Sequence, residues 1–155
     1  MEDNMVLKAY KNEPFSKNGL INREEIKKYS DHIIETFDVR SGEGGKSMAR
    51  SLSGGNQQKG IIGREIQSDP DLLIAVQPTR GLDVGSIEYI HKRLVEQRDS
   101  GKAVLLVSLE LDEILNVSDR IAIVNNGELI GIVNASETDE NEVGLMMAGI
   151  KRGEA

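Results

Sequence analysis

Leu52-Ser53-Gly54-Gly55-Asn56-Gln57-Gln58-Lys59 is the stretch on which the reading of this chain turns. A serine hydroxyl able to cap a helix stands directly before two glycines. The first N–H groups of a helix have no partner within it and lie at the positive end of its dipole, while glycine allows close approach to that backbone. Gln57 and Gln58 add side-chain donors one turn in. These are the ingredients for holding an anion, phosphate above all. By themselves they equally describe a capped helix after a flexible loop.

The residues around this stretch alternate between helix and strand signals. Downstream, the helix opened by Ser53 should bury Ile61, Ile62 and Ile66 and end before Pro70; Gly60 and Gly63 inside it each weaken it by about 1 kcal/mol relative to Ala. Leu72-Leu73-Ile74-Ala75-Val76, bounded by Pro70 and Pro78, predicts a buried strand. Residues 84–99 predict a helix with Ile87, Ile90, Leu94 and Val95 inward, closed by Gly101. Residues 103–107 predict a second buried strand and 111–117 a short helix. Residues 121–124 and 128–133 flank Asn125-Asn126-Gly127, a hairpin signal because Asn and Gly tolerate positive φ. Thr138 can cap a final helix carrying Val143, Leu145, Met146 and Ile150.

Upstream, Asn22 and Glu25 form a capping-box pair, and Ile26, Tyr29, Ile33 and Phe37 recur at helical steps up to about residue 37. Residues 41–47 should be loop, and no convincing strand precedes residue 50. Parallel strands need a crossover helix between them. The expected architecture is therefore α/β: a helical lobe over residues 1–69 that includes the Ser53 helix, and an α/β lobe over 70–155 with a C-terminal hairpin.

Composition narrows the function. The 155 residues hold 19 Lys+Arg against 26 Asp+Glu, a net charge of −7, which argues against a nucleic-acid binder working by phosphate neutralisation. Without cysteine there are no disulfides, zinc-thiolate sites or thiol nucleophiles. Aromatic residues make up 3%, too few for base-stacking to be the main business. No apolar run reaches the length of a spanning helix, and the first residues do not open a signal peptide. Gly45-Lys46-Ser47 imitates the end of a phosphate-binding loop, but the first glycine of that motif would fall at Arg40, and the segment follows a helix rather than a strand.

Taken in order, these motifs make the chain resemble the ATPase component of ABC transporters. Residues 52–58 look like the ABC signature in the LSGGNQQ variant of sugar and nucleoside importers. Residues 72–79 occupy the position of the Walker B strand, Gly81, Leu82 and Asp83 that of the D-loop, and Val107-Ser108-Leu109-Glu110 that of the switch segment. Residues 77–85 look closest to the second ATPase half of tandem nucleoside and simple-sugar importer proteins, and the resemblance runs on to Met146-Met147.

The resemblance implies a partial P-loop-type ABC ATPase fold lacking the P-loop strand, in which residues 1–11 resemble the start of the helical lobe. In such ATPases the Walker B strand ends in Asp-Glu, which order magnesium and polarise the attacking water; here Val76 and Gln77 stand there, and Leu109 replaces the switch histidine. Val has no ligand atom and an amide is no proton acceptor. No metal ligands and no catalytic residues are expected in this chain. The signature is intact. By resemblance Ser53, Gly54, Gly55, Asn56, Gln57 and Gln58 would bind the nucleotide held by a partner half, Ser53, Gly54 and Gly55 at its γ-phosphate, with Gln57 and Gln58 also supporting the signature helix, and Gly81, Leu82 and Asp83 would touch the partner.

ATP and Mg2+ are implied for the complete protein, with none held tightly by this chain, which is expected to be an inactive piece of a longer ATPase. The implied partners are the other ATPase half and a membrane permease, with no nucleic acid. The implied location is the inner face of the cell membrane, reached through the permease. The missing strand predicts exposed apolar strand edges and self-association or partial disorder. Gln77 tilts the transported substrate toward nucleosides. Two other readings compete: a non-enzymatic module docking a permease or partner ATPase, and an unrelated α/β enzyme using Asp83, Glu110 and Asp112, which no spacing favours. His32 and His91 fall on predicted helices without partner spacing and read as partly exposed helix residues.

Overall fold

Chain entry is through helix and hairpin. In the computed structural model, which describes residues 1–151, α1 (Glu2–Met5) leads to a short antiparallel pair, β1 (Ser16–Lys17) and β2 (Leu20–Ile21). That pair departs from the expectation of no early strand. Asn18 and Gly19 both take positive φ (52° and 78°), so the Asn-Gly turn between the strands was the available signal.

Helix α2 (Arg23–Thr36) is capped as expected by Asn22, whose Oδ1 accepts from Glu25 N at 3.3 Å. The reciprocal half of the capping box does not form. Asn22 N donates to Phe15 O, and the Glu25 carboxylate takes Lys28 Nζ at 2.7 Å instead. Ile26, Ile33 and Phe37 are buried and Tyr29 half-buried, as the periodicity required; Ile33 and Phe37 join Met5 and Val39, while Ile26 joins Val6 and Phe15.

Helix α3 (Gly54–Gln67) buries Ile62, but Ile61 is 46% exposed, against expectation. The buried face is built around the glycines. A Cβ on Gly63 would come 2.8 Å from the Phe37 ring, and one on Gly60 would come 3.2 Å from the methyls of Met1 and Met5. Their weak helix propensity is exchanged for close approach of α1 and α2.

β3 (Leu72–Val76), α4 (Val84–Asp99) and β4 (Ala103–Val107) form the expected right-sized crossover unit, with β3 and β4 parallel and in register from Leu72 beside Ala103 to Val76 beside Val107. Only one face of the pair is covered. Leu73 packs with Ile62, Ile90 and Leu94, and Val104 and Leu106 lean against the same cluster. The apolar runs predicted buried strands, yet Leu72, Ile74, Val76, Leu105 and Val107 are all exposed, between 45% and 63%. No element among the described residues packs on that side.

α5 (Leu111–Val117) precedes the hairpin of β5 (Arg120–Asn125) and β6 (Glu128–Asn134), turned by Asn126 and Gly127 at positive φ as expected. Its inner face (Ile121, Ile123, Val133) packs on Val143 and Met146 of α6 (Glu140–Met147). The cap of α6 is Asp139, which accepts from Glu142 N at 2.8 Å, rather than the expected Thr138, whose hydroxyl goes to Glu142 Oε2. Leu145 is exposed, and Ile150 lies beyond the helix.

Candidate functional site

Ser53 has extended backbone, and its Oγ accepts from both Asn56 N (3.4 Å) and Asn56 Nδ2 (2.9 Å). A hydroxyl has one proton and two lone pairs. Both lone pairs serve the cap, which leaves the Ser53 proton without an acceptor among the described residues. Gly54 N and Gly55 N, in the first turn, have no backbone acceptor there either. Ser53 and Gly54 are exposed and Gly55 is buried, so a hydroxyl donor and the first N–H of the helix meet solvent together. The chemistry suits an anionic oxygen.

The rest of the 52–58 stretch is structural support. Asn56 Oδ1 accepts from Arg40 N at 2.8 Å, and Gln57 Nε2 donates to Leu52 O at 2.9 Å, which fixes the approach to the helix on both sides. Gln58 is half-buried on α3. Lys59 reaches Asp38 with Nζ at 2.8 Å from Oδ2, and lies 4.4 Å from the centroid of the Tyr89 ring. This hydrogen bond from Lys59 holds the Asp38 carboxyl below the usual range.

The turn carrying Gly81, Leu82 and Asp83 lies against the start of α3. Cβ atoms built on Gly54 and Gly55 would come 3.5 Å from Leu82 Cδ2 and from Asp83 Oδ2, respectively. Gly81 has φ of 74°, a conformation that glycine adopts without strain. Asp83 caps α4: its Oδ2 accepts from Ser86 Oγ (2.8 Å) and its Oδ1 from Ser86 N (3.0 Å). The Ser86 hydroxyl and then its N–H hold the Asp83 carboxyl below the usual range. The 52–58 and 81–83 segments, thirty residues apart in sequence, thus form one surface.

Val76, Gln77 and Leu109 collect at the C-terminal ends of β3 and β4, where α/β sheets place their ligand-handling groups. Val76 sits beside Val107, Gln77 N donates to Val107 O at 2.8 Å with Gln77 at φ 49°, and Leu109 is 72% exposed. The donor set is one amide among aliphatic side chains and does not fit Mg2+, which takes carboxylate and water oxygens. Among the described residues no group of three His, Cys, Asp or Glu could hold a metal. Asp83 is engaged in its cap. Ser47, the decoy motif's hydroxyl, is buried and accepts from Glu43 N.

One cluster escaped the sequence. Thr79 Oγ1 donates to Glu113 Oε1 at 2.7 Å with both residues buried, and His91 Nε2 lies 3.0 Å from the same oxygen. His91 is a partly exposed residue of α4, as expected, and its partner lies 22 residues away on another helix, where no local spacing could show it.

No family profile matches the chain. It is 55% identical over 153 residues to the guanosine import ATP-binding protein NupO of Bacillus subtilis (strain 168), covering 99% of this chain and 30% of that protein. It is 56% identical over 147 residues to the nucleoside import ATP-binding protein NupA of Lactococcus lactis subsp. cremoris (strain MG1363), covering 95% and 29%. It is 41% identical to the glucose import ATP-binding protein TsgD13 of Haloferax volcanii, over 94% of this chain and 27% of that one. The chain thus spans about 30% of the length of these relatives. Among solved structures, the dimeric bacterial ABC transporter cassette MJ0796 superposes with a TM-score of 0.65 at 24% identity, over 86% of this chain and 54% of that one. A metal-chelate type ABC transporter in an inward-facing conformation gives 0.74 at 14% identity, over 97% and 58%. The structural likenesses show the fold, an α/β arrangement shared with part of the cassette, and the chain is homologous over nearly its whole length to a part of nucleoside and sugar import ATP-binding proteins.

Proposed function

We propose that this chain is part of the second ATPase half of a tandem nucleoside or simple-sugar importer ATPase, and that it completes a partner's ATP site without hydrolysing ATP at its own. The observation that carries the reading is an asymmetry. The Ser53 proton and the Gly54 N–H are solvent-facing and uncommitted, with the Gly55 N–H buried beside them and without a backbone acceptor, whereas Val76, Gln77 and Leu109 offer neither a carboxylate nor an imidazole. In this reading Ser53, Gly54 and Gly55 take the γ-phosphate of ATP bound to the other half, Asn56, Gln57 and Gln58 hold the helix start in place, and Gly81, Leu82 and Asp83 touch that half. ATP and Mg2+ belong to the complete protein, with Mg2+ held outside this chain.

The division into a helical lobe (1–69) and an α/β lobe (70–155) belongs to the same reading, as do a permease partner and a position on the inner face of the cell membrane. Among the described residues no helix is long and apolar enough to cross a membrane, which is compatible with attachment through a partner. The nucleoside relatives favour nucleosides over sugars as the cargo.

The test is ATP turnover by the longer protein. Ser53→Arg should abolish it, whereas Gln77→Ala should leave it unchanged, and Val76→Asp with Gln77→Glu should add activity at the second site. A loss of turnover in Gln77→Ala would sink the silent-site reading. A second reading, a non-enzymatic docking module, draws on the groove of about 120 Å³ between α1 and α3, lined by Met1, Met5, Gln57, Gly60, Ile61 and Arg64 among others. Ser53→Arg without effect on turnover, together with loss of permease binding on substituting Ile61, would favour it.

A further inference from the structure

The geometry points to Glu113 as a positioning residue: its buried carboxylate locks the 77–83 turn to α4 and α5, so that the turn and the switch segment form one unit. Three observations meet at this side chain. Thr79, inside the turn, donates Oγ1–H to Glu113 Oε1 at 2.7 Å, and the turn's own bonds run through the same residues: Leu82 N to Thr79 O (3.1 Å) and Arg80 N to Gln77 O (3.4 Å). His91, on α4, places Nε2 at 3.0 Å from that oxygen, so an acceptor there sets its proton on Nε2. Glu113 itself lies in the first turn of α5, directly after Ser108, Leu109 and Glu110, where Glu110 N is tied to Ser108 Oγ at 3.0 Å. A single oxygen thus joins three separate segments.

The burial argues for geometry over stability. Glu113 is 4% exposed, and its Oε2 has no hydrogen-bond partner among the described residues. A buried carboxylate with one oxygen unpaired is destabilising relative to an apolar side chain of similar size, and in some proteins buried ionic groups serve to specify one arrangement. What Glu113 specifies is the place of Thr79, and through it the path of Arg80 and Gly81 to Asp83. The value of that path to a partner rests on the proposed function; the lock itself does not.

Amide hydrogen exchange on the 155-residue chain, without nucleotide or partner, tests it. Glu113→Leu and Thr79→Val should each raise exchange at Arg80 and Leu82 about tenfold, the effect of one hydrogen bond lost, with no change at the amides of the β5–β6 hairpin. Glu113→Gln, which keeps an acceptor oxygen, should restore protection at Arg80 and Leu82, and Thr79→Val combined with Glu113→Leu should add nothing to Glu113→Leu alone. Equal acceleration in the hairpin, unchanged exchange at Arg80 and Leu82, additive effects, or a Gln variant as open as the Leu variant would each overturn the lock. If Glu113→Leu fails to fold, Thr79→Val against Thr79→Ser carries the comparison, since only Ser keeps the hydroxyl. Turnover in the longer protein is measured separately, so failure of the lock and failure of the composite-site reading give different results.

Discussion

Gly55 and Ser86 are in contact where the first turns of α3 and α4 meet: a Cβ on Gly55 would be driven into Ser86 Oγ and would lie 3.0 Å from Ser86 Cβ. Ser86 cannot swing aside freely, because its hydroxyl is donated to Asp83 Oδ2. One glycine therefore sets the distance between the 52–58 stretch and the 81–83 turn.

Gly55→Ala opposes two effects. Alanine is favoured over glycine in a helix by about 1 kcal/mol, whereas overpacking a close contact costs about 1–3 kcal/mol. The clash should win, with a net loss of about 1 kcal/mol in urea unfolding, equivalent to roughly 2–4 °C for a chain of this size. Ser86→Gly in the same chain should recover most of the loss. A stabilised Gly55→Ala single variant would show that the two helices are free to separate.

Asp83 gives a pH dependence of known sign. Its pKa is lowered in the folded chain from the usual 3.8 by the Ser86 hydroxyl and N–H. The stabilisation is therefore fully present above about pH 4 and lost as pH falls through the folded value. Asp83→Asn keeps an N-cap of similar quality but does not ionise. Thermal midpoints of the two proteins should run parallel above pH 5 and differ in slope below pH 4, with the variant flatter. Identical slopes would remove the cap from the account of acid unfolding.

The uncovered side of β3 and β4 should make the isolated chain associate. Ile74 and Leu105 face each other there, 57% and 50% exposed, within an apolar stripe that also holds Val76 and Val107. Contiguous apolar surface of this kind is a site of association. Sedimentation across a concentration series should show self-association that Ile74→Glu with Leu105→Lys removes while leaving the parallel pair intact. A chain that stays monomeric throughout would contradict this.

Nucleotide should not stabilise the chain alone. Ligand at a thousandfold excess over its Kd adds about 4 kcal/mol. With Val76, Gln77 and Leu109 at the strand ends, Mg-ATP should leave the unfolding midpoint where it is. A clear upward shift would mean that this chain holds a nucleotide site of its own.

Local chemistry carried much of the structure. Asn22, Ser53 and Asn126-Gly127 sit where a cap or a primed turn needs them, and β3, α4 and β4 begin and end at residues that the apolar runs and the prolines marked. Of the candidate site, the Ser53 cap and the glycine pair after it were legible, because short motifs encode such backbone features, whereas the cap made by Asp83 on α4 came from the structure. The sequence could not say which side of a strand would be covered: five consecutive apolar residues in β3 look alike, yet Leu73 is buried and Ile74 exposed, since covering depends on whether another element arrives. Nor could it show that Gly60 and Gly63 serve packing, that Gly55 must yield to Ser86, or that Glu113 gathers Thr79 and His91. Those are contacts between segments distant along the chain. The residues along the chain carried most of the elements and caps, β1, β2 and the Asp139 cap excepted, and the resemblance to ABC ATPases; which faces meet came from contacts between distant segments, because burial is a property of neighbours that local propensity does not contain.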